Sequence, residues 1–127
     1  MPEPDSAVLL IEDDPSTREL YQRELSRDYE VLTCSTESEA LALLDLHPVC
    51  AIVLEPGLQN GQGWSLLAML HAMPRTRTIP IILCSTLDER RRGMELGATL
   101  YLTKPVLPEH LVKKIHEVIG REAATKF

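Results

Sequence analysis

Ionisable and hydroxyl side chains recur directly behind apolar runs in this chain. Glu12, Asp13 and Asp14 follow Ala7-Val8-Leu9-Leu10-Ile11 and precede Pro15, Glu55 ends a second apolar run, Ser85-Thr86 a third, and Lys104 follows a fourth. In a parallel α/β sheet, ligands bind outside the carboxyl ends of the strands. Carboxylates crowded at such ends suit a hard cation such as Mg²⁺, which takes oxygen ligands and keeps several waters. The acids, the hydroxyls and the lysine therefore read as one constellation, provided the runs are strands of a single sheet.

The elements that must position these groups are legible as an alternation of apolar strand-like runs with stretches of helical period, the signature of βαβ units. Strands are expected at 7–11, 29–34, 50–54, 80–85 and 99–102. The nearly continuous apolar runs 7–11, 50–54 and 80–84 belong at the centre of the sheet, and the mixed runs 29–34 and 99–102 at its edges. Helix one takes Asp14 as N-cap and Pro15 at its first position. Helix two opens on Thr36 with Glu39 three residues on, a capping box, and stops before Pro48. Helix three follows Gly61-Gln62-Gly63 and ends at Pro74. Helix four runs over about 87–96, with Gly97 at the left-handed position behind it. Helix five begins near Pro108 and buries Leu111, Val112, Ile115, Val118 and Ile119, a stripe of 3.6-residue period.

Composition bounds the rest. The 127 residues fit one domain able to bury roughly two-thirds of its unfolded surface. A single unit over 1–127 is expected, with a core at about 7–119, a short acidic and proline-rich lead, and a tail at 121–127 that is either a frayed helix end or the start of a linker. The net charge is −6, with 19 acids against 13 bases. The bases are dispersed except at Arg90-Arg91-Arg92 and Lys113-Lys114, so broad nucleic-acid binding is not expected. Cys34, Cys50 and Cys84 are odd in number and lack metal-ligand spacing, which fits buried thiols in a reducing cytoplasm. No run is long enough to span a membrane. The four histidines form no defensible ligand set.

Glu12-Asp13 after strand one, Glu55 after strand three, Ser85-Thr86 after strand four and Lys104-Pro105 after strand five together resemble the receiver domain of bacterial two-component response regulators. The resemblance covers about residues 7–119. It implies a flavodoxin-like three-layer sandwich with a five-stranded parallel sheet in the order 2-1-3-4-5. It further implies that Glu12 and Asp13 hold Mg²⁺, that Glu55 stands at the phosphoacceptor position, that Ser85 (with Thr86 beside it) and Lys104 hold phosphoryl oxygens, and that Tyr101 is the switch aromatic. The backbone of Gly57 would offer the metal a carbonyl, and Gly63 matches the glycine that closes the loop. A Lys104-Pro105 bond in the cis form is also implied. The partners implied are a histidine kinase or a downstream effector, met through the face of helix four, strand five and helix five, with Arg90-Arg91-Arg92 either part of that face or simply solvated.

The chain departs from the family pattern at the acceptor. Glu55 replaces aspartate, and its extra methylene displaces the carboxylate by about 1.5 Å where catalytic placement needs about 0.5 Å. Pro56 has no N–H to give a phosphoryl oxygen, and losing one such donor costs about a hundredfold in related sites. Gln59 stands where the family has a loop proline, so loop 56–63, with three glycines, is expected to be mobile. The expected function is a non-enzymatic signalling module of the two-component phosphorelay, independent of phosphorylation or weakly phosphorylatable, acting through protein contacts. The alternative is a working phosphoacceptor that uses Mg²⁺ and a histidine-kinase donor. Glu55 is expected to pair with Lys104.

Overall fold

A computed structural model describes residues 7–125 and the side chains of 7–120. Five strands alternate with five helices: β1 (Ala7–Ile11), α1 (Pro15–Leu25), β2 (Val31–Cys34), α2 (Glu37–Leu46), β3 (Val49–Leu54), α3 (Leu58–Ala72), β4 (Ile81–Ser85), α4 (Arg90–Glu95), β5 (Leu100–Thr103) and α5 (Pro108–Thr125). All pairings are parallel, and the strand order is β2-β1-β3-β4-β5. This is the expected flavodoxin-like sandwich. The acidic lead at 1–6 and the end of the expected tail lie outside the described residues.

The alternation of side chains along each central strand makes two cores. Leu9, Ile11, Ile52, Leu54, Ile81 and Leu83 face α2, α3 and α4, where Leu44, Leu58, Leu66, Leu67 and Leu70 meet them. Val8, Leu10, Ala51, Val53, Ile82 and Cys84 face α1 and α5 and pack on Tyr21, Leu25, Leu111, Ile115 and Val118. Because both faces of these strands are covered, polar residues have no place until each strand ends. Cys34 and Cys84 are buried and Cys50 is half-buried, with no disulfide among the described residues. Burial pushes the Cys34 and Cys84 thiols up to about 12, which keeps them protonated and unreactive at neutral pH.

Helix starts follow the local chemistry. Asp14 Oδ2 accepts from the Thr17 backbone N–H at 2.9 Å and from the Thr17 hydroxyl at 2.6 Å, capping α1. Thr36 Oγ1 accepts from Glu39 N at 3.1 Å. The returning arm of the capping box differs from its expected form, because Glu39 Oε1 reaches the Thr36 hydroxyl at 2.9 Å and the backbone N–H of Ser35 instead of that of Thr36.

Helix α3 becomes regular close to the expected glycine turn, whereas helix α4 departs from its expected start for a physical reason. The ladder of α3 is interrupted at Gln59, Asn60 and Gly61, whose φ values of 48°, 62° and 96° lie in the left-handed region, so the regular helix begins only behind them. Helix α4 starts at Arg90 and not near 87. The backbone groups ahead of it are taken by Tyr101, whose hydroxyl donates to Leu87 O and accepts from Glu89 N at 3.1 Å. Gly93 lets α4 approach β4 and β5, since a Cβ there would stand 2.7 Å from Leu83 Cδ1 and 3.0 Å from Tyr101 Cδ2. Smaller shifts bring β2 down to four residues and move β5 one residue along the chain.

Candidate functional site

Strand register puts the chemistry in one place. Ile11 of β1 is level with Leu54 of β3, so Glu12 and Glu55 leave the sheet side by side, and Glu55 N donates to Ile11 O at 3.0 Å. Ser85 of β4 is level with Thr103 of β5, and Lys104, one step on, donates its backbone N–H to Ser85 O at 2.7 Å. The Lys104-Pro105 peptide is cis, as the resemblance implied.

The lysine stem extends from β5 past the intervening end of β4. Its Nζ lies 2.6 Å from Glu12 Oε1 and 2.9 Å from Glu55 Oε1. The expected Glu55–Lys104 pair is therefore present, and Glu12 completes a triad that sequence reasoning did not anticipate. These side chains are largely withdrawn from water, at 13 % exposure for Lys104, 4 % for Glu12 and 13 % for Glu55. Burial pushes the Glu12 carboxyl above its usual range, with the bond from Lys104 opposing the shift in part. Burial also works against the Lys104 ammonium, but the hydrogen bonds to Glu12 and Glu55 outweigh it and raise its pKa above the ordinary lysine value.

The other oxygens of the site are also engaged. Glu55 Oε2 accepts from Gly57 N at 2.7 Å, and Glu12 Oε2 from Asp14 N at 3.2 Å. Asp13 Oδ2 accepts from Gln59 N at 3.2 Å, and Gly57 O, the backbone ligand expected for a metal, accepts from Gly61 N at 3.2 Å. Loop 56–63, expected to be mobile, is thus tied to the acids it covers. Gly63 closes it where a Cβ would meet Glu55 O and Pro56 Cα, both at 2.6 Å.

The side chains of the remaining expected residues bond elsewhere than to the triad. Ser85 is buried, and its Oγ accepts from Leu87 N at 3.1 Å, while Thr86 is exposed beside it. Tyr101 is turned inward and buried. Of the three arginines in α4, Arg92 lies over the Trp64 ring at 4.1 Å and Arg90 reaches Tyr101 O at 3.4 Å, leaving Arg91 to pair with Glu95 on the surface.

Two contributors were missed. Gln59 joins three segments, since its N–H reaches Asp13 while its Oε1 accepts from Glu37 N at 3.0 Å. The adjacent Asn60-Gly61 pair was the available signal for a left-handed turn. Arg18 donates to Glu12 O at 2.9 Å. Its place four residues past Asp14 on α1 was the clue that it faces the site.

Mg²⁺ is the group this kind of site implies, and the donor set can be tested against it. The carboxylates are of the right type. Both oxygens of Glu12 and of Glu55 are already bonded within the chain, and among the described residues no set of three or more Asp, Glu, His or Cys side chains is arranged to hold a metal ion. As arranged, the residues do not fit the ion.

Comparison with known proteins gives a consistent result. Residues 8–116 match the response regulator receiver domain. The transcriptional regulatory protein GltR of Pseudomonas aeruginosa is 32% identical over 94% of this chain and 51% of its own length. The chain spans about half the length of the transcriptional regulators it matches. Among solved structures, the Vibrio cholerae chemotaxis protein CheY4 superposes with a TM-score of 0.82 at 26% identity, covering 89% of this chain and 98% of that one. The Mn²⁺-bound form of response regulator Rcp1 does so at 0.74 and 25% identity, covering 89% and 91%. Parallel order, strand-end acids and a cis Lys-Pro bond agree with these likenesses, and this chain belongs to the response regulator receiver domain family.

Proposed function

We propose that this receiver works independently of phosphorylation, with Glu55 supplying a permanent negative charge where a phosphorylated receiver acquires one. Receiver domains serve two-component signalling as signalling modules that meet histidine kinases and effectors. The observation that carries the proposal is the state of the Glu55 carboxylate, which has Lys104 on one oxygen and the Gly57 N–H on the other. An attacking carboxylate needs an oxygen free and in line with the leaving group, with fixed donors around the transferred oxygens. Here the nucleophile is held by its own site, and Pro56 brings no N–H. The mimicry is of sign more than of size, because one carboxylate charge stands in for a phosphoryl charge of about −1.5 to −2.

The route by which such a charge would reach a partner is short. Lys104 directly follows β5, and β5 carries Tyr101, whose hydroxyl holds the segment before α4. The outward face of α4, β5 and α5 is the proposed contact surface for a kinase or effector, supported by the exposed apolar side chains Leu87, Met94 and Leu107. Residues 1–127 are read as a single domain. A cytoplasmic place of action accords with the protonated, buried thiols, and no described helix is long and apolar enough to cross a membrane.

Incubation with acetyl phosphate and Mg²⁺ followed by intact mass measurement tests the reading. The expected result is no phosphoryl adduct on the wild-type chain and little on Glu55→Asp, because Pro56 still lacks its amide. Replacing both Glu55 by Asp and Pro56 by Ala is expected to do better than either change alone. A stoichiometric adduct mapped to Glu55 of the wild type would establish a working phosphoacceptor instead.

A further inference from the structure

We infer that the Lys104 ammonium is the resident cation of this strand-end site, taking the place of a divalent metal so that the wild-type chain folds and holds its loop without one. Glu12 and Glu55 converge on Nζ at 2.6 and 2.9 Å, close enough for an ammonium to serve both carboxylates at once. Arg18 adds a second positive group on the Glu12 carbonyl at the rim. Three carboxylates, Glu12, Asp13 and Glu55, are thereby opposed by two cations of the chain itself.

Both oxygens of Glu12 and of Glu55, one of Asp13 and the Gly57 carbonyl already have partners within the chain. Asp14 N and Gly57 N bind the outer oxygens of Glu12 and Glu55, Gln59 N binds Asp13, and Gly61 N binds the Gly57 carbonyl. A divalent ion entering here must strip the ammonium from two carboxylates and break the contacts that fold loop 56–61. The longer acids make this possible. Glutamate at both positions 12 and 55 carries each carboxylate one methylene farther from its strand, toward a lysine two strands beyond β3.

The exclusion therefore depends on one side chain. Without the ammonium, the acids are left facing each other in a partly buried cleft, a situation relieved by any cation that fits. The inference deepens the proposed function and rests on its reading of Glu55 as a held charge. The test contains no phosphodonor, so its outcome is independent of whether Glu55 can accept a phosphoryl group.

The experiment measures thermal unfolding in EDTA and in about 10 mM Mg²⁺, with Mn²⁺ as a second probe, on four forms of the full chain. Wild type and Lys104→Arg, which keeps the charge, are expected to shift by less than about 1 °C between the two conditions. Lys104→Met is expected to melt lower in EDTA and to gain roughly 4 °C on metal addition, the size of linkage at about ten times the Kd. The double variant Glu12→Gln/Lys104→Met, with one fewer carboxylate, is expected to melt above Lys104→Met in EDTA and to lose most of the metal gain. If Lys104→Met is unfolded in EDTA, recovery of its far-UV circular dichroism on adding Mg²⁺ supports the inference, and failure to recover overturns it. A wild-type gain as large as that of Lys104→Met, or a folded Lys104→Met indifferent to both metals, also overturns it.

Discussion

The strand-end site has two halves built from different chemistry. On the side of β1, β3 and β5, Glu12, Glu55 and Lys104 satisfy one another as charges with little access to water. On the side of β4 and α4, the hydroxyls of Ser85 and Tyr101 bond to backbone groups at 87 and 89. A buried charge is tolerated only while its partner is present, so the first half stands or falls as a unit. A neutral hydroxyl bonded to backbone carries a smaller and more local stake, of about 1 kcal/mol for each bond. The comparison assigns stability to the charged half and the placement of α4 to the hydroxyl half.

The sharpest way to break this division is Lys104→Met. It leaves two carboxylates facing each other in the cleft and is expected to destabilise the chain by about 3 kcal/mol, the lower part of the range for breaking a buried pair, since these groups retain some exposure. A double-mutant cycle with Glu55→Gln, read by chemical denaturation, should give a coupling of about 1 kcal/mol or more. A coupling indistinguishable from zero would mean that Glu55 does not hold the site closed.

The same lysine sets a dependence on alkaline pH. Its folded-state pKa lies above the ordinary value of 10.5, so its contribution to stability is fully present below that pH and is lost as pH rises through the folded pKa. Wild type should lose stability more steeply than Lys104→Met above pH 10.5, checked by denaturation midpoints across the alkaline range. Parallel curves for the two proteins would assign the loss to other groups.

In the hydroxyl half, Tyr101→Phe removes the contacts with Leu87 O and Glu89 N while keeping the ring. The expected cost is about 1–2 kcal/mol. Hydrogen exchange should accelerate at the start of α4 and remain unchanged at β1 and β3. Acceleration spread over the whole sheet would show that the two halves are one cooperative unit.

The smallest effect belongs outside the site. Arg91 and Glu95 pair at 3.1 Å, with side-chain exposures of 92% and 66%. Arg91→Ala should change stability by less than about 0.5 kcal/mol, measured by the same denaturation assay, because water screens such a pair. The contrast with Lys104 then measures what burial adds to the same pairing of charges.

These halves were unequally legible in the sequence. Glu12, Glu55 and Lys104 could be placed because each stands immediately beyond a strand core, and strand ends in a parallel sheet share one edge of the molecule. The pairing of Glu55 with Lys104 was also within reach, whereas the participation of Glu12 depends on how far a lysine stem extends past β4. The start of α4 was misjudged because the groups that delay it belong to Tyr101, remote in sequence and brought close only by the packing of β5. Gln59 was hidden for a related reason. A non-glycine residue at a φ of 48° declares itself through the contacts that hold it there, with Asp13 and Glu37, and only the neighbouring Asn60-Gly61 pair hinted at the turn.

The Arg92 guanidinium over Trp64 turns the chain into its own optical gauge. Trp64 is the only tryptophan, it sits in α3 just past the loop that covers the acids, and the cation above its ring comes from α4. Indole emission is sensitive to a charge against its face, so a displacement of α4 that carries Arg92 away should alter the spectrum with no label attached. The same signal can follow, in real time, whether a binding partner that grips α4 also moves it relative to α3.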